Sequence, residues 1–465
     1  MSSAAARLAG DRSVPHIVTE LPGPKARAHV AYDETWTSPS LPRAYPIVPV
    51  RAEGLTVEDI DGNLFLDFAA GIAVNSTGHA HPQVVAAIKE QAAELIHFSA
   101  SDFYLPIYPE VCQRLAELSP IKGGRARTYL GNSGAEVVEA SIKLARYATG
   151  RPYVVAFLGA FHGRTYGAVS LTASKAKYHK GFGPLLPGVF HAPYGKVEDL
   201  RWFDEVLFDK LAPASEVAAI IVEPVQGEGG YIVPEDGFLQ GLREICDRHG
   251  ILLIADEIQS GAGRTGKRWA VDHWGVEPDI LLTAKGIASG MPLGGMVARA
   301  DLLEAWGVGA HGSTYGGNPV ACAASLTVSG GDIRTDRTPH SRTSRPRSKQ
   351  AHWTSSAWSP VSNSTPSIRP LPRTSRTRPS KRPTSGRNPA IACSPRAAAL
   401  AIRPPSSKSI VASDAAQATG LPPNVEPWVP GPQASMMSAR AIMAPSGMPL
   451  AMPFAVNTMS GLTPQ

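Results

Sequence analysis

The chain has 465 residues and a formal net charge of +6, but the charge is unevenly distributed. Residues 1–330 contain 28 basic and 35 acidic residues, whereas residues 331–465 contain 17 basic and 4 acidic ones. The mildly acidic first part lacks the basic surface of a nucleic-acid-binding protein. No apolar run approaches the roughly 20 residues of a membrane span, residues 1–24 lack a secretory-signal pattern, and the four cysteines have no metal-ligand spacing. We therefore expect a cytoplasmic protein with no nucleic-acid partner, no membrane partner and no metal site.

The first segment with a chemical signature is Gly131–Glu136, which opens a predicted helix. Val138, Ile142 and Ala145 give this helix an apolar stripe. Backbone N–H groups at a helix N-terminus form an anion site, to which Ser133 adds a hydroxyl group. An ordinary serine cap without a ligand is the alternative interpretation.

A predicted strand, Tyr153–Phe157, is followed by the aromatic residue Phe161 and the basic residue Arg164. Phe161 could cover a planar ring, and Arg164 could bind a carboxylate through two parallel hydrogen bonds. The alternatives are an aromatic core residue and a solvated arginine.

The apolar run Ile251–Glu257 predicts a buried strand that ends in carboxylates. Ligands of open α/β sheets lie beyond the carboxyl ends of the strands, so Asp256 is placed to reach a cofactor. A second predicted strand, Asp279–Thr283, delivers Lys285 in the same way. Such a lysine can form a Schiff base with an aldehyde, and a carboxylate can hold a pyridine nitrogen protonated. The pair suits pyridoxal phosphate (PLP) chemistry, although a lysine considered alone is more often a surface residue.

Together these segments resemble the class III aminotransferases of PLP fold type I, in family order and at family spacing. The resemblance extends from about Tyr45 to about Leu326. It implies an α/β fold with a mostly parallel central sheet, the cofactor pyridoxal 5'-phosphate and a homodimer. The matching stretches are Asn132–Ala135, Phe161–Thr165, Glu223–Gly230, Ala255–Gly266, Thr283–Gly294 and His311–Pro319.

The resemblance also implies a role for each matching residue. Lys285 is expected to be the Schiff-base lysine and proton shuttle, and Asp256 the partner of the pyridine nitrogen. The other expected cofactor contacts are the phosphate cradle Ser133, Gly134 and Ala135, the stacking ring Phe161 with its neighbour His162, the ring-hydroxyl donor Gln259, and Thr314, which contacts the phosphate in the other subunit. The expected substrate contacts are the pocket-wall residue Ile72, the carboxylate-binding Arg164 and the switch residue Glu228.

The implied reaction is the ping-pong transfer of an ω-amino group to 2-oxoglutarate. Arg164 and the run Val225–Gly230 make 4-aminobutyrate the first choice of donor, with succinate semialdehyde and glutamate as products. Acetylornithine or ornithine aminotransferases and racemases on the same scaffold share nearly all of these residues. In the family, Glu228 shields an arginine of the C-terminal domain while an ω-amino substrate is bound, and that arginine has no match here. The non-enzymatic alternative is that the chain is the inactive product of a disrupted gene.

The resemblance divides the chain into three parts. Residues 1–77 are an N-terminal segment that is part of a small domain, residues 78–327 are the PLP-binding large domain, and residues 328–465 are a non-matching tail. The last 135 residues hold 21 of the 42 prolines and have no helical or strand period, which predicts disorder in place of the family's C-terminal domain. By composition alone, a basic arm that binds nucleic acid or an acidic surface is the alternative.

The tail also looks like antisense or frameshifted coding sequence. Written in GC-rich codons and read as the reverse complement, Ala444–Pro453 can encode the sequence of Gly286–Gly294. The same reading of Thr419–Pro430 yields nearly the sequence of Gly309–Val320. The matches occur in inverted order and in one frame, which predicts a coding sequence that crosses into inverted DNA after about Leu326.

Overall fold

The computed structural model describes residues 8–10 and 12–330. The predictions of a disordered tail and of inverted coding sequence concern residues outside these ranges, and they stay predictions. The strands are β1 Pro49–Glu53, β2 Thr56–Asp59, β3 Leu64–Leu66, β4 Ala126–Gly131, β5 Tyr153–Phe157, β6 Val189–Ala192, β7 Val217–Val222, β8 Leu252–Asp256, β9 Ile280–Thr283 and β10 Gly294–Arg299.

Helical segments lie between these strands and after them. They are α1 Pro24–Trp36, α2 Ala70–Ala73, α3 Pro82–Glu94, α4 Ile107–Leu118, α5 Gly134–Thr149, α6 Tyr166–Leu171, α7 Phe238–His249, α8 Ala300–Ala305 and α9 Pro319–Ser329. Short 3-10 segments cover Ala176–Tyr178, Val197–Leu200, Ala214–Glu216, Ala270–His273 and Lys285–Ile287, and Phe203–Leu211 is π-helical. Within residues 12–330, no helix is long and apolar enough to cross a membrane.

Seven strands form one sheet in the order β4-β10-β9-β8-β7-β5-β6. Strands β9, β8, β7, β5 and β6 run parallel to one another, and β10 is antiparallel to both β9 and β4. All residues of β7 and β8 are buried, as continuous apolar runs predict for strands that are covered on both faces. The expected α/β fold with a mostly parallel central sheet is confirmed.

Helices cover both faces of this sheet because successive side chains of a strand point to opposite faces. On β8, Ile254 belongs to the core cluster that contains Leu144 of α5, whereas Leu253 belongs to the cluster that contains Leu242 of α7. The helices α5 and α7 therefore lie on opposite faces. The loops that follow the parallel strands all emerge at one edge of the sheet, where side chains from different strands can meet.

Helix α5 begins and ends at residues that its sequence predicts. At its start, the Ser133 hydroxyl oxygen accepts the backbone N–H of Glu136 at 3.3 Å. At its end, Gly150 has a φ of 68° and donates its N–H to the carbonyl of Arg146. Since β4 ends at Gly131, this helix start lies directly beyond a strand end.

The N-terminal residues form a separate three-stranded antiparallel sheet in the order β1-β2-β3. Three hydrogen bonds connect the segment that follows it to the loop after β9, one of them from the N–H of Thr77 to the Ser289 hydroxyl at 3.3 Å. The Ser76 hydroxyl donates to the carbonyl of Gly286 at 2.6 Å, and the hydroxyls of Thr77 and Ser289 lie 2.7 Å apart. The N-terminal segment therefore supports the loop that carries Lys285. The domain boundary at residue 77 stays a prediction.

The segment α2 is a left-handed turn, with φ values of 49° at Ala70, 61° at Gly71, 64° at Ile72 and 61° at Ala73. This conformation costs roughly 1–2 kcal/mol for each residue other than glycine. The Asp67 carboxylate stabilises the turn, since it accepts the N–H of Ala70 at 2.8 Å. The turn leaves the Ile72 side chain exposed.

Candidate active site

A cavity of about 400 Å³ lies at the edge of the large sheet where the parallel strands end. Its walls come from the loops after β4, β5, β7, β8 and β9. Most of the residues that the sequence singled out line this cavity, namely Ser133, Gly134, Ala135, Phe161, His162, Glu228, Asp256, Gln259 and Lys285. The remaining lining residues are Val74, Asn132, Gly163, Glu223, Ile258, Ala284 and the segment Gly290–Leu293.

Asp256 and His162 form a buried pair at the base of this cavity. The Nδ1 atom of His162 lies 2.7 Å from the Oδ2 atom of Asp256, and both side chains are almost inaccessible to solvent. The other Asp256 oxygen accepts the backbone N–H of Ile258 at 3.1 Å. Burial opposes charge on His162, but the hydrogen bond that the imidazole donates to Asp256 and the negative charge of that carboxylate outweigh burial and raise the pKa of His162. The pair therefore keeps the Asp256 carboxylate in one orientation.

Lys285 follows β9 with a backbone φ of 48°, a conformation that non-glycine residues rarely adopt. Such strain is concentrated at functional sites, where surrounding contacts maintain it. Burial lowers the pKa of the Lys285 amine, and the carboxylates Asp256, Glu223 and Glu228 only partly oppose this effect. A larger fraction of this lysine is consequently neutral, as a nucleophile and proton acceptor requires.

The start of α5 is built to receive an anion. Among the described residues, none accepts a hydrogen bond from the backbone N–H of Gly134 or Ala135. A Cβ atom at Gly134 would lie 2.8 Å from the side chain of Ile258, so glycine permits the close approach of α5 to the loop after β8. The N-terminus of this 16-residue helix therefore presents unpaired donors to the cavity.

Phe161 is held at the cavity wall by its backbone and its ring. Its N–H donates to the Glu223 carboxylate at 2.9 Å, and its ring lies edge-on to Tyr178 with centroids 5.6 Å apart. Glu223 also accepts the N–H of Gly227 at 3.2 Å, so this carboxylate connects the two loops that carry Phe161 and Glu228. Glu223 had no predicted role, although an acidic residue directly after the apolar strand β7 was a signal of the same kind as Asp256.

Three predicted residues lie outside the lining of the cavity. Thr314 is exposed, and Ile72 has 65% of its surface exposed. Arg164 is exposed as well, and its guanidinium carbon lies 4.8 Å from the centre of the Tyr178 ring. The contact with Tyr178 places Arg164 beside the ring that packs on Phe161.

Glu257, the residue after β8, is a buried acid that faces away from the cavity. It accepts the Ser260 hydroxyl at 2.5 Å and the Val271 N–H at 2.8 Å. Burial raises its pKa from 4.5 to about 7, more than these hydrogen bonds lower it. Between these two pH values the folded protein holds a proton that the unfolded chain has released, so stability contributed by Glu257 is lost as the pH rises.

Replacing Glu257 by glutamine should therefore flatten the pH dependence of stability. We expect the free energy of unfolding lost between pH 5 and pH 7.5 to become smaller by about 2–3 kcal/mol, because glutamine stays neutral over this range. Urea unfolding at the two pH values measures the difference. Glu277→Gln makes the same change on an exposed side chain and should leave the profile unchanged. An unaltered profile in Glu257→Gln would contradict the assignment.

The comparisons with known proteins agree with this geometry. The family described as Aminotransferase class-III matches residues 39–329. Acetylornithine aminotransferase of Methanopyrus kandleri is 48% identical over 280 residues, which are 60% of this chain and 69% of that protein. 4-aminobutyrate aminotransferase of Mycobacterium tuberculosis is 41% identical over 329 residues, covering 67% of this chain and 73% of that protein. The structure of ornithine aminotransferase from Toxoplasma gondii has 35% identity and a TM-score of 0.60, covers 66% of this chain and 70% of that chain, and has partial occupancy of PLP at its active site.

A PLP site at the strand ends of a mostly parallel sheet defines a protein of PLP fold type I. The chain belongs to the class-III aminotransferase family. The match ends at residue 329, close to the end of the resemblance predicted from the sequence. The recognition of the family, including a C-terminal part that does not match it, is confirmed.

The residues of the cavity fit the cofactor of this family, pyridoxal 5'-phosphate. The Lys285 amine suits its aldehyde, the Asp256 carboxylate suits its pyridine nitrogen, and the unpaired N–H groups of Gly134 and Ala135 with the Ser133 hydroxyl suit its phosphate. The Nε2 atom of His162 is buried without a partner among the described residues, which leaves a further polar atom at this wall. When bound, PLP supplies an electron sink for the electrons of a broken C–H bond.

Proposed function

We propose that the chain transfers the ω-amino group of 4-aminobutyrate to 2-oxoglutarate and yields succinate semialdehyde and glutamate. The observation that carries this proposal is the presence of the Glu228 carboxylate in the same cavity as Lys285 and Asp256. A carboxylate near the reacting carbon repels the carboxylate of an α-amino acid. An ω-amino donor has no carboxylate at its reacting carbon, so Glu228 favours that class of donor.

In this reaction each of four residues has a separate role. The Lys285 amine, with its lowered pKa, takes a proton from the donor carbon and returns it. Asp256 provides a fixed negative charge opposite the nitrogen that becomes positive, and His162 holds that carboxylate in place. In this proposal Arg164 binds the far carboxylate of the donor, which sets the distance between that carboxylate and the reacting amine.

Acetylornithine or ornithine as the amino donor is the second candidate. The relatives with these names share 48% and 35% identity with the chain, against 41% for the 4-aminobutyrate enzyme. The relatives all carry names of ω-amino acid substrates, which supports an ω-amino donor. Their identities to this chain do not distinguish acetylornithine, ornithine and 4-aminobutyrate as that donor. A racemase on the same scaffold would use the same lysine and carboxylate, and it would be recognised by inversion of an α-carbon rather than by transfer of nitrogen.

We also propose that the chain acts as a homodimer. Large apolar side chains are exposed near Thr314. They include Tyr315, whose ring lies 4.7 Å from that of His97, and the Phe98–Phe103 pair, whose rings lie 4.5 Å apart. Contiguous exposed apolar surface is typical of an interface. A second subunit on this surface would bury these rings and would receive Thr314, the residue expected to contact the phosphate of the other subunit.

The full chain should form product in one turnover but cycle poorly. Residues 8–10 and 12–330 offer Arg164 for one carboxylate, and the arginine that the family pairs with Glu228 is not among them. Loss of a charge-assisted, two-point contact costs on the order of 3–5 kcal/mol, or a few hundred- to several thousand-fold in rate. We expect at most one equivalent of succinate semialdehyde per PLP site, with little steady-state turnover, by coupled assay with 4-aminobutyrate and 2-oxoglutarate.

Parallel reactions with acetylornithine and ornithine identify the preferred donor. Fusion of residues 1–326 to the intact C-terminal domain of a close relative should restore steady-state turnover. Robust cycling by the unfused chain would contradict the proposed defect. Absence of product from all three donors, with PLP covalently bound, would instead favour the inactive protein or the racemase.

A further inference from the structure

Glu228 lies at the tip of a short hairpin that fixes its position. The hairpin runs from Gln226 to Ile232, and these two residues exchange backbone hydrogen bonds of 3.0 Å in both directions. The Gln226 side chain also donates to the carbonyl of Leu158 at 2.9 Å, which ties the base of the hairpin to the end of β5. The carboxylate of Glu228 is therefore presented to the cavity from a braced backbone.

Lys175 contacts this carboxylate from another loop. Its Nζ atom lies 3.8 Å from the Oε2 atom of Glu228. Within the described part of the chain, Lys175 is the salt-bridge partner of Glu228. Both side chains are partly exposed, so the pair lies where the cavity meets solvent.

The backbone around Lys175 is anchored at both ends. On one side, the N–H of Ala173 donates to the carbonyl of Ala160 at 2.8 Å, next to Phe161. On the other side, the carbonyl of Lys175 accepts the N–H of Tyr178 at 3.0 Å and starts a 3-10 turn. Tyr178 in turn contacts Arg164, as described above. One turn therefore brings a cation to Glu228 and an aromatic face to Arg164.

We infer that Lys175 is a positioning residue that partly offsets the charge of Glu228 and so weakens the repulsion that a substrate with two carboxylates meets in the site. The inference rests on the proposed function, in which both 2-oxoglutarate and glutamate are dicarboxylates. Without a nearby cation, the Glu228 carboxylate would repel the second carboxylate of either molecule. Lys175 reduces this repulsion through Glu228 and does not itself bind the substrate.

The experiment measures binding of glutarate, a five-carbon dicarboxylate that cannot react, by isothermal titration calorimetry on the PLP-loaded full chain. Lys175→Gln should raise the Kd about fivefold, in line with one solvent-exposed ion pair. Lys175→Arg, which keeps the charge, should retain most of the affinity. Lys180→Gln is the matched control, because it removes the same charge from an exposed position in the same loop and should leave the Kd unchanged.

A double-mutant cycle tests whether Lys175 acts through Glu228. In the Glu228→Gln background the repulsion is absent, so Lys175→Gln should no longer change the Kd. An equal loss of affinity in that background would show direct binding of the ligand by Lys175 and would overturn the inference, as would an unchanged Kd in the single variant. Failure of the PLP-loaded parent chain to bind glutarate would also overturn it. Failure to attach PLP at Lys285 would count against the proposed function itself.

Discussion

Replacing Lys285 by alanine should abolish covalent attachment of PLP and slow product formation from an amino donor by roughly a thousandfold or more. Among the described residues that line the cavity, Lys285 is the only one with an amine, so no neighbour can take its place. Borohydride reduction followed by peptide mass spectrometry detects the attachment, and rapid mixing with 4-aminobutyrate measures the single-turnover rate.

Lys267→Ala is the control for this experiment. Lys267 is exposed and donates to the carbonyl of Asp272 outside the cavity. The control variant should bind PLP and react like the parent chain. Covalent PLP at any residue of Lys285→Ala, together with an unchanged single-turnover rate, would show that the assignment of Lys285 is wrong.

Replacing Asp256 by asparagine should separate binding from chemistry. We expect PLP to remain attached to Lys285, while removal of the donor proton slows by about two to three orders of magnitude. The amide has no negative charge to favour a protonated pyridine nitrogen, and the buried pair with His162 loses its ionic character. Rapid mixing with deuterated donor should show a larger kinetic isotope effect than in the parent chain.

The control here is Asp272→Asn, which makes the same chemical change at a carboxylate that accepts the backbone N–H of Trp269, away from the cavity. Its single-turnover rate should match that of the parent chain. A rate in Asp256→Asn within about twofold of the parent rate would remove Asp256 from the catalytic residues, since a lost electrostatic contact of this kind has a much larger effect.

The strands and helix starts that carry the site were predictable from local pattern. The run Ile251–Glu257 predicted β8 because buried parallel strands are continuous apolar runs, and the observed strand is Leu252–Asp256. Ser133 predicted the start of α5 because its hydroxyl replaces a missing backbone acceptor. These signals depend on neighbours within about four residues along the chain, so the sequence alone contains them.

The contacts between distant loops were not predictable in this way. His162 and Asp256 are 94 positions apart, and nothing in either segment states that the imidazole faces this carboxylate. The pairing of Lys175 with Glu228 has the same character, because two exposed charges on different loops have many possible partners. The left-handed turn at Ala70–Ala73 was not predictable from the sequence for another reason. Alanine and isoleucine disfavour that conformation, and only the surrounding contacts impose it.

The position of β10 has a consequence for synthesis of the chain. This strand lies between β4 and β9, and its partner residues on β4 were translated 163 to 173 residues earlier. Until β10 leaves the ribosome, β4 has no hydrogen-bonded neighbour and β9 has an open edge, which is a hazard for association with other chains. The start of α5 follows β4, and the loop of Lys285 follows β9. Since β10 connects these two strands, the phosphate-binding and lysine-bearing parts of the cofactor site come together only after β10 has been synthesised as far as Arg299.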